Sequence, residues 1–172
     1  MMTQEEVRAL LVKTGAIMDG HFLLTSGLHS PHYVEKFKDA NIETVVGPVT
    51  GGILLAHETG KSLGTRAIFT ERVDGKMTFR RGFSLREGER VLIVEDIVTT
   101  GGSIKEVIDV VKAAGAVPVA VSMLVDRSGG KANFGDVPST ALLTMEVETY
   151  TPESCPLCAK GIPMTKRGRT GK

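Results

Sequence analysis

A short segment near the middle of the chain could bind a phosphorylated sugar. Residues 91–103 read Val-Leu-Ile-Val-Glu-Asp-Ile-Val-Thr-Thr-Gly-Gly-Ser. An apolar run ends in two adjacent carboxylates, Glu95 and Asp96, which can accept hydrogen bonds from sugar hydroxyls. Hydroxyl groups and glycines then open a helix, whose first backbone N–H groups and dipole favour a phosphate. The segment therefore predicts a site for a sugar that carries a phosphate.

The same segment has a purely structural alternative. Ser103 could cap the helix, and Asp96 could close an ordinary strand-to-helix turn. That alternative does not account for two acids beside an apolar strand and the small-residue run from Thr99 to Ser103. The loop also lacks the Gly-Lys-Ser/Thr ending of a Walker A loop and the GxGxxG pattern of a dinucleotide-binding turn.

A single arginine follows the next predicted strand. Arg127 lies just past residues 117–125, beside Gly129 and Gly130. From that position its guanidinium could bind a carboxylate through two parallel hydrogen bonds. The alternative is a salt bridge to Asp126 or to another neighbour.

Residues 71–83 carry cations but few core residues. Arg72 and Lys76 flank an Asp-Gly pair, and Arg80 and Arg81 are further candidates of lower rank. The pattern fits either a β-hairpin or a mobile loop. Such a segment could act as a catalytic lid over a bound anion. The alternative is a charged hairpin exposed to solvent.

Residues 47–52, Gly-Pro-Val-Thr-Gly-Gly, form a second glycine-rich loop whose backbone suits a diphosphate. Its alternative is an ordinary strand-to-helix turn. The four histidines show no convincing metal-ligand spacing. Cys155 and Cys158 form one CxxC, whereas a structural zinc site normally has four ligands. We interpret these cysteines as packing residues of the tail.

These candidate residues need a scaffold that brings several strand ends together. Apolar runs predict strands at residues 44–46, 66–69, 90–95, 117–125 and 140–147. Gly47-Pro48 is expected to end the first of them. Between the third and fourth, apolar residues at 104, 107, 108 and 111 predict an amphipathic helix. Alternating strands and helices predict an α/β fold, with a parallel sheet, helices on both faces and a ligand site at the carboxyl edge.

Composition narrows the class of protein. The 172 residues suit one domain, and a net charge of +1 argues against non-specific nucleic-acid binding. We expect no membrane span, because no apolar run is long enough, and we do not expect residues 1–6 to be a signal peptide. Two cysteines cannot form a disulfide framework, so we expect a reducing cytoplasm. The 20 glycines suggest several loops whose backbone approaches a ligand closely.

The chain resembles the type I phosphoribosyltransferases, and among them the orotate phosphoribosyltransferase family. Residues 91–103 are similar to the family's phosphoribosyl-pyrophosphate signature. Four further segments carry the resemblance: residues 14–33 (hood), 46–52 (pyrophosphate loop), 124–130 (orotate-binding strand end) and 155–163 (tail of one bacterial and archaeal branch). It implies the type I phosphoribosyltransferase fold, a mainly parallel sheet flanked by helices. It also implies a single domain, residues 1–172, with a core at about 41–147 and a hood from about 1–40 plus the tail 148–172.

The resemblance also assigns candidate site residues. The resemblance implies that phosphoribosyl pyrophosphate is bound by the signature residues Glu95, Asp96, Ile97, Val98, Thr99, Thr100, Gly101, Gly102 and Ser103. The acids would hold the ribose hydroxyls, and the loop from Thr99 to Ser103 would hold the 5′-phosphate. It implies that Thr99 and Arg127 bind orotate. It also implies that the diphosphate is bound by Thr50, Gly51 and Gly52. The implied catalytic residues are Arg72, Lys76 and Asp96.

The implied reaction transfers phosphoribose from phosphoribosyl pyrophosphate to orotate in pyrimidine (UMP) synthesis, with Mg²⁺ held mainly by the substrate and not by direct protein ligands. The family also implies a cytoplasmic homodimer whose lid reaches the neighbouring subunit's site. Two alternatives remain: a purine-type phosphoribosyltransferase, and a regulator that senses phosphoribosyl pyrophosphate and binds nucleic acid. The hood and residues 126–130 argue against the first, and the net charge of +1 argues against the second.

The sequence departs from the family in three places. Only ten residues separate Tyr33 from Thr44, where relatives usually have a helix of several turns. This difference has two interpretations: a segment of the natural chain is missing from this sequence, or the deletion is real. In the second case, we expect the sheet to lose helix cover on one face. Thr25 and Thr50 stand in regions where many relatives have lysine, so the arginines of the lid are expected to supply more of the positive charge.

Overall fold

A six-stranded sheet with a helix on each face positions the candidate residues. The computed structural model describes residues 9, 18–23, 29–33, 40–147 and 150–164. The strands of this sheet are β3 (Thr44–Pro48), β4 (Arg66–Val73), β5 (Lys76–Phe79), β6 (Arg90–Val98), β7 (Val117–Asp126) and β8 (Ser139–Thr144), after the separate strands β1 (Met18–Leu23) and β2 (His29–Tyr33). The helices are α1 (Gly51–Leu63), α2 (Gly102–Ala113) and the single turn α3 (Pro156–Ala159), preceded by a 3₁₀ turn at Pro152–Ser154.

The sheet has the order β5-β4-β3-β6-β7-β8. Its strand pairs are parallel except for the β4–β5 hairpin. β1 and β2 form a separate antiparallel ribbon within the segment for which we predicted a hood. The mainly parallel sheet flanked by helices confirms the α/β prediction. No helix in the described ranges is long and apolar enough to cross a membrane.

The central strand β6 is buried on both faces, as its apolar run predicts. Val91 and Ile93 face the larger core, which α2 covers, whereas Leu92 and Val94 face the core under α1. Successive strand residues point to opposite faces, so an uninterrupted apolar run can fill two cores at once. Burying each such side chain contributes about 1.5–3 kcal/mol.

β3 extends further than the sequence predicted. Gly47 and Pro48 belong to the strand instead of ending it. The reason is local: β3 pairs with β6 only as far as Val46, whereas its pairing with β4 continues to Pro48. Proline lacks the N–H group that a ladder needs, so it fits where pairing on one side has already ended.

The segment with the candidate lid cations is a β-hairpin, one of the two structures that the sequence allowed. Val73 pairs with Lys76 across a two-residue turn. Asp74 and Gly75 have φ values of 50° and 79°, as a type I′ turn requires. Met77 anchors the hairpin in the core that α2 covers. The hairpin is therefore packed on the sheet's edge, close to the start of α2.

The opposite end of the sheet holds a buried carboxylate that the sequence patterns did not predict. Glu89 is 3% exposed, and it accepts hydrogen bonds from Thr44 Oγ1, Arg66 NH2 and the Arg86 backbone N–H. Burial raises the pKa of Glu89, but these hydrogen bonds and the Arg66 charge outweigh burial and leave the pKa below its usual 4.5. The cluster joins the starts of β3, β4 and β6, far from the edge where these strands end.

The face under α1 is covered less completely at β7 and β8. Leu124 is 39% exposed, and it lies on that face beside Leu142 of the neighbouring strand. α1 packs over β3, β4 and β6 and does not extend to this end of the sheet. In residues 40–147, Leu124 is therefore partly open to solvent at this end of the sheet.

Candidate active site

Three adjoining cavities line the carboxyl edge of the sheet, where the ends of β3, β4, β6 and β7 meet. This edge is the usual ligand site of an open parallel sheet. Residues 95–103 contribute to all three cavities. The acids, the small residues and the start of α2 therefore form one continuous wall. One cavity lies at its centre and one lies on each side.

The central cavity, of about 70 Å³, is formed by the signature loop itself. Its lining residues are Glu95, Ile97, Val98, Thr99, Thr100, Gly101, Gly102, Ser103 and Ile104. Gly101 has a φ of 79° and caps α2 without a side-chain acceptor, so no cap side chain occupies the helix's first N–H groups. A Cβ on Gly101 would also press against the ring of Phe134. The loop thus needs glycine at this position and presents backbone donors to an anion.

The two acids differ in exposure. Glu95 is buried, at 8% exposure, whereas Asp96 is half-buried and faces the second cavity. The Ile97 backbone N–H donates to Asp96 Oδ1 at 2.7 Å, and the Asp96 N–H donates to Glu95 Oε1 at 3.2 Å. These bonds hold both carboxylates at the end of β6. Carboxylate oxygens at this position can accept hydrogen bonds from ligand hydroxyls.

The second cavity, of about 270 Å³, lies between the acids and the glycine-rich loop after β3. Its lining residues are Pro48, Val49, Thr50, Gly51, Arg72, Met77, Glu95, Asp96, Ile97 and Ser103. Gly51 lies so close to Asp96 that a Cβ would overlap its carboxylate. Gly47 and Gly52 approach each other just as closely through their backbones. The loop after β3 and the segment that carries Asp96 touch each other here, so there is no room for a side chain at Gly51.

The candidate lid cations lie in different places. Arg72 reaches the second cavity, where its guanidinium contacts Glu106 of α2 at 2.7–2.8 Å. Lys76 is exposed at the start of β5 and is not among the residues that line the three cavities. Arg81 instead contacts Glu71, and its guanidinium lies 6.0 Å from the Phe69 ring centroid. The structure therefore brings Arg72 to the acids, but not Lys76.

The third cavity, of about 800 Å³, lies between the signature loop and the end of β7. Its lining residues are Thr99, Thr100, Arg127, Ser128, Lys131, Ala132, Glu146 and Val147. Arg127 is exposed, and its backbone N–H donates to Val98 O at 2.8 Å, which fixes the loop against β6. This cavity pairs a guanidinium with threonine hydroxyls, a combination suited to a ligand with a carboxylate.

Asp126 shapes the loop that carries Arg127. Its carboxylate accepts from the backbone N–H groups of Ser128 at 2.8 Å and Gly130 at 3.0 Å. Among the described side chains, no ion pair joins Asp126 to Arg127, so Asp126 is not the salt-bridge partner of Arg127. An ion pair between Lys131 and Glu146 was not predicted from the sequence. Its hydrogen bond lowers the pKa of the Glu146 carboxyl. The two residues are 15 positions apart in the sequence, and no motif with that spacing indicated the pair.

Comparisons with known proteins agree with this geometry. The sequence profile of the phosphoribosyl transferase domain matches residues 32–137, which is more than half of the chain. An orotate phosphoribosyltransferase from Desulforamulus reducens is 50% identical over 187 aligned positions, which cover 97% of each chain. The chain belongs to the orotate phosphoribosyltransferase family. Another member, from a Thermoanaerobacter species, is 46% identical and covers 97% of this chain and 98% of its own.

Solved structures support the fold of this orotate phosphoribosyltransferase family member. Adenine phosphoribosyltransferase from Rhodothermus marinus has a TM-score of 0.54 at 22% identity, covering 63% of this chain and 73% of its own. The alignment with the Desulforamulus protein has more positions than this chain has residues, yet it covers nearly all of both sequences. Some positions of that relative therefore have no counterpart in this chain.

Proposed function

We propose that this chain transfers the phosphoribosyl group of phosphoribosyl pyrophosphate to a ring nitrogen of orotate, as a step in pyrimidine synthesis. The products are orotidine 5′-phosphate and diphosphate. The observation that carries the proposal is the row of three cavities that share residues 95–103. Each cavity has the chemistry that one part of the substrate pair needs: a phosphate cradle, a diphosphate cleft beside two acids, and a base pocket with a guanidinium.

The phosphoribosyl group would occupy the central cavity and the wall beside it. Backbone N–H groups and hydroxyls of residues 99–103 would bind the 5′-phosphate. Glu95 and Asp96 would accept hydrogen bonds from the ribose hydroxyls, because their carboxylates are held at the end of β6 between two cavities. This arrangement fixes the anomeric carbon between the diphosphate and the base.

The diphosphate would lie in the second cavity, against Thr50 and Gly51 and near Arg72. Backbone donors of this loop and the Arg72 guanidinium would stabilise the negative charge that grows on the leaving group. Lys76 lies on the same hairpin and is exposed, so its proposed catalytic role requires the hairpin to move. Gly52 supports the loop by its backbone contact with Gly47.

Orotate would lie in the third cavity. Its carboxylate matches the Arg127 guanidinium, and Thr99 lies on the shared wall next to the phosphoribosyl group. A bond then forms between the ring nitrogen and the anomeric carbon while the bond from that carbon to the diphosphate breaks, and the proton of the ring N–H passes to the departing diphosphate or to water. Positioning and charge stabilisation are the main contributions of the protein, since no covalent enzyme intermediate is needed.

Magnesium fits this site as an ion carried mainly by the substrate. Within the described residues, no group of three or more His, Cys, Asp and Glu side chains could hold a metal by itself. Glu95 and Asp96 nevertheless offer the hard oxygen donors that Mg²⁺ prefers, beside the cavity assigned to the diphosphate. When bound, Mg²⁺ would offset negative charge on the diphosphate.

We also propose a cytoplasmic homodimer in which the β4–β5 hairpin of one subunit contributes to its partner's site. The support is the family resemblance, together with the position of the hairpin at the exposed edge of the sheet. Within one chain, residues 41–147 would form the core, and residues 1–40 with 148–172 the hood. Light scattering coupled to size exclusion measures the mass of the assembly.

The test of the proposed activity is the loss of orotate absorbance on addition of phosphoribosyl pyrophosphate and Mg²⁺. Purified chain should consume orotate and release one diphosphate for each orotate lost. Adenine, hypoxanthine and guanine serve as competing acceptors in parallel reactions. Turnover of a purine base without turnover of orotate would overturn the proposal.

A further inference from the structure

Glu106, on the second turn of α2, is bound to the cation of the diphosphate cavity. Arg72 NH2 donates to Glu106 Oε1 at 2.8 Å, and NH1 lies 2.7 Å from Oε2. NH1 also donates to the Gly75 carbonyl oxygen at 2.8 Å. The guanidinium is therefore held from two sides, by a carboxylate of α2 and by the turn of its own hairpin.

This contact connects two elements that are 34 residues apart in sequence. The side chains of Arg72 and Glu106 are 39% and 40% exposed, and the Oε2 atom of Glu106 is shielded from solvent. A charged pair at such partial burial is screened less than one on the open surface. Without Glu106, the long arginine side chain would retain only its contact with Gly75 O and would regain much of its conformational freedom.

The geometry leaves Arg72 able to bind a ligand while it contacts Glu106. A guanidinium has five N–H donors, and the contacts with Glu106 and Gly75 engage at most three of them. Glu106 follows Ser103 by three positions, so both project from the same side of α2. Ser103 and Arg72 both line the cavity between the acids and the glycine-rich loop. Glu106 thus contacts the guanidinium of a residue that lines this cavity.

We propose that Glu106 is a positioning residue, which holds the Arg72 guanidinium at the diphosphate cavity before the substrate binds. The inference rests on the proposed function, since Arg72 acts there on the diphosphate. Glu106 itself does not line the cavity and acts through Arg72. Glu106 pre-organises the guanidinium, which therefore does not have to be ordered when the substrate binds.

A double-mutant cycle tests this role. The variants are E106Q, R72A and the double substitution, with D109N as the control, because Asp109 is an exposed acid of the same helix. The measured quantities are kcat, the KM for phosphoribosyl pyrophosphate and the KM for orotate. Affinity for phosphoribosyl pyrophosphate is also measured by calorimetry without orotate. E106Q should raise the KM and Kd for phosphoribosyl pyrophosphate about 5- to 10-fold, leave the KM for orotate within twofold and have no effect once Arg72 is alanine.

Three results would overturn the inference: an equal loss in the presence and absence of Arg72, a loss that D109N reproduces, or tighter binding in E106Q. The last result would mean that Glu106 competes with the diphosphate for Arg72. E106D, which keeps the charge on a shorter side chain, should fall between wild type and E106Q. Failure of the proposed function is distinguishable, because the calorimetric cycle does not depend on orotate turnover.

Discussion

Gly51→Ala should abolish most of the activity while leaving the fold nearly intact. The added Cβ would overlap the Asp96 carboxylate, which is the movable end of a half-buried side chain. The carboxylate can rotate away, at the cost of the hydrogen bond from the Ile97 N–H. Losing one such bond costs about 0.5–1.5 kcal/mol, and in a domain of this size 1 kcal/mol lowers the Tm by roughly 2–4 °C.

The catalytic loss should be much larger than the stability loss. Displacing a positioned group by about 1 Å can lower the rate by about 100-fold. We therefore expect kcat/KM of Gly51→Ala to fall by about that factor in the orotate absorbance assay, with a Tm within a few degrees of wild type. The loss should appear in the KM for phosphoribosyl pyrophosphate or in kcat, since Asp96 lies beside the cavity assigned to the ribose and the diphosphate.

Gly88→Ala is the matched control. Its added Cβ would meet nothing within 4 Å, but a φ of 72° strains any residue other than glycine. The strain is about 1–2 kcal/mol. The Tm of Gly88→Ala should therefore fall by as much as the Tm of Gly51→Ala, or slightly more. Gly88 precedes β6 at the end of the sheet away from the cavities, and its activity should stay close to wild type. Activity of Gly51→Ala within threefold of wild type would refute the placement of Asp96.

Two further predictions concern groups outside the three cavities. Since the pKa of Glu89 lies below 4.5, its ionised form stabilises the fold above about pH 4.5, and this contribution is lost as the pH falls through the lowered pKa. Glu89→Gln should therefore lower the Tm at pH 7, with a difference from wild type that shrinks in acid; a constant difference would contradict this reasoning. In the tail, the Cys158 backbone N–H holds the pKa of the Cys155 thiol below its usual value, whereas its hydrogen bond with Cys155 raises the pKa of Cys158. Iodoacetamide at pH 7 should alkylate Cys155 faster, as peptide mass spectrometry would show, and preferential alkylation of Cys158 would contradict it.

Local sequence patterns predicted the centre of the fold well. The apolar run of β6 indicated a strand buried on both faces, and the small residues from Thr99 to Gly102 indicated a loop before a helix; both interpretations depend on neighbours in sequence. The hairpin remained one of two options because its Asp-Gly turn fits either a tight turn or a mobile loop. The structure resolves it through the packing of Met77.

Contacts between distant segments could not be predicted in this way. Glu106 occupies a solvent-facing position of an amphipathic pattern, and only the fold places it beside Arg72. Lys131 and Glu146 are brought together by the ends of β7 and β8, and Glu89 by the starts of three strands. The interpretation of the cysteines as packing residues does not hold for Cys158, which is exposed. A CxxC motif alone does not indicate what the tail contacts.

The most direct test of the site assignment is the effect of Arg127→Ala on the two substrates. Arg127 lines the cavity assigned to the base and not the cavities assigned to the phosphates. Losing a hydrogen bond to a charged group costs about 1.5–3 kcal/mol, so the KM for orotate should rise by about 10- to 150-fold. The KM for phosphoribosyl pyrophosphate should stay within about twofold. An equal rise in both KM values would contradict the division of the site into a base pocket and a phosphoribosyl pocket.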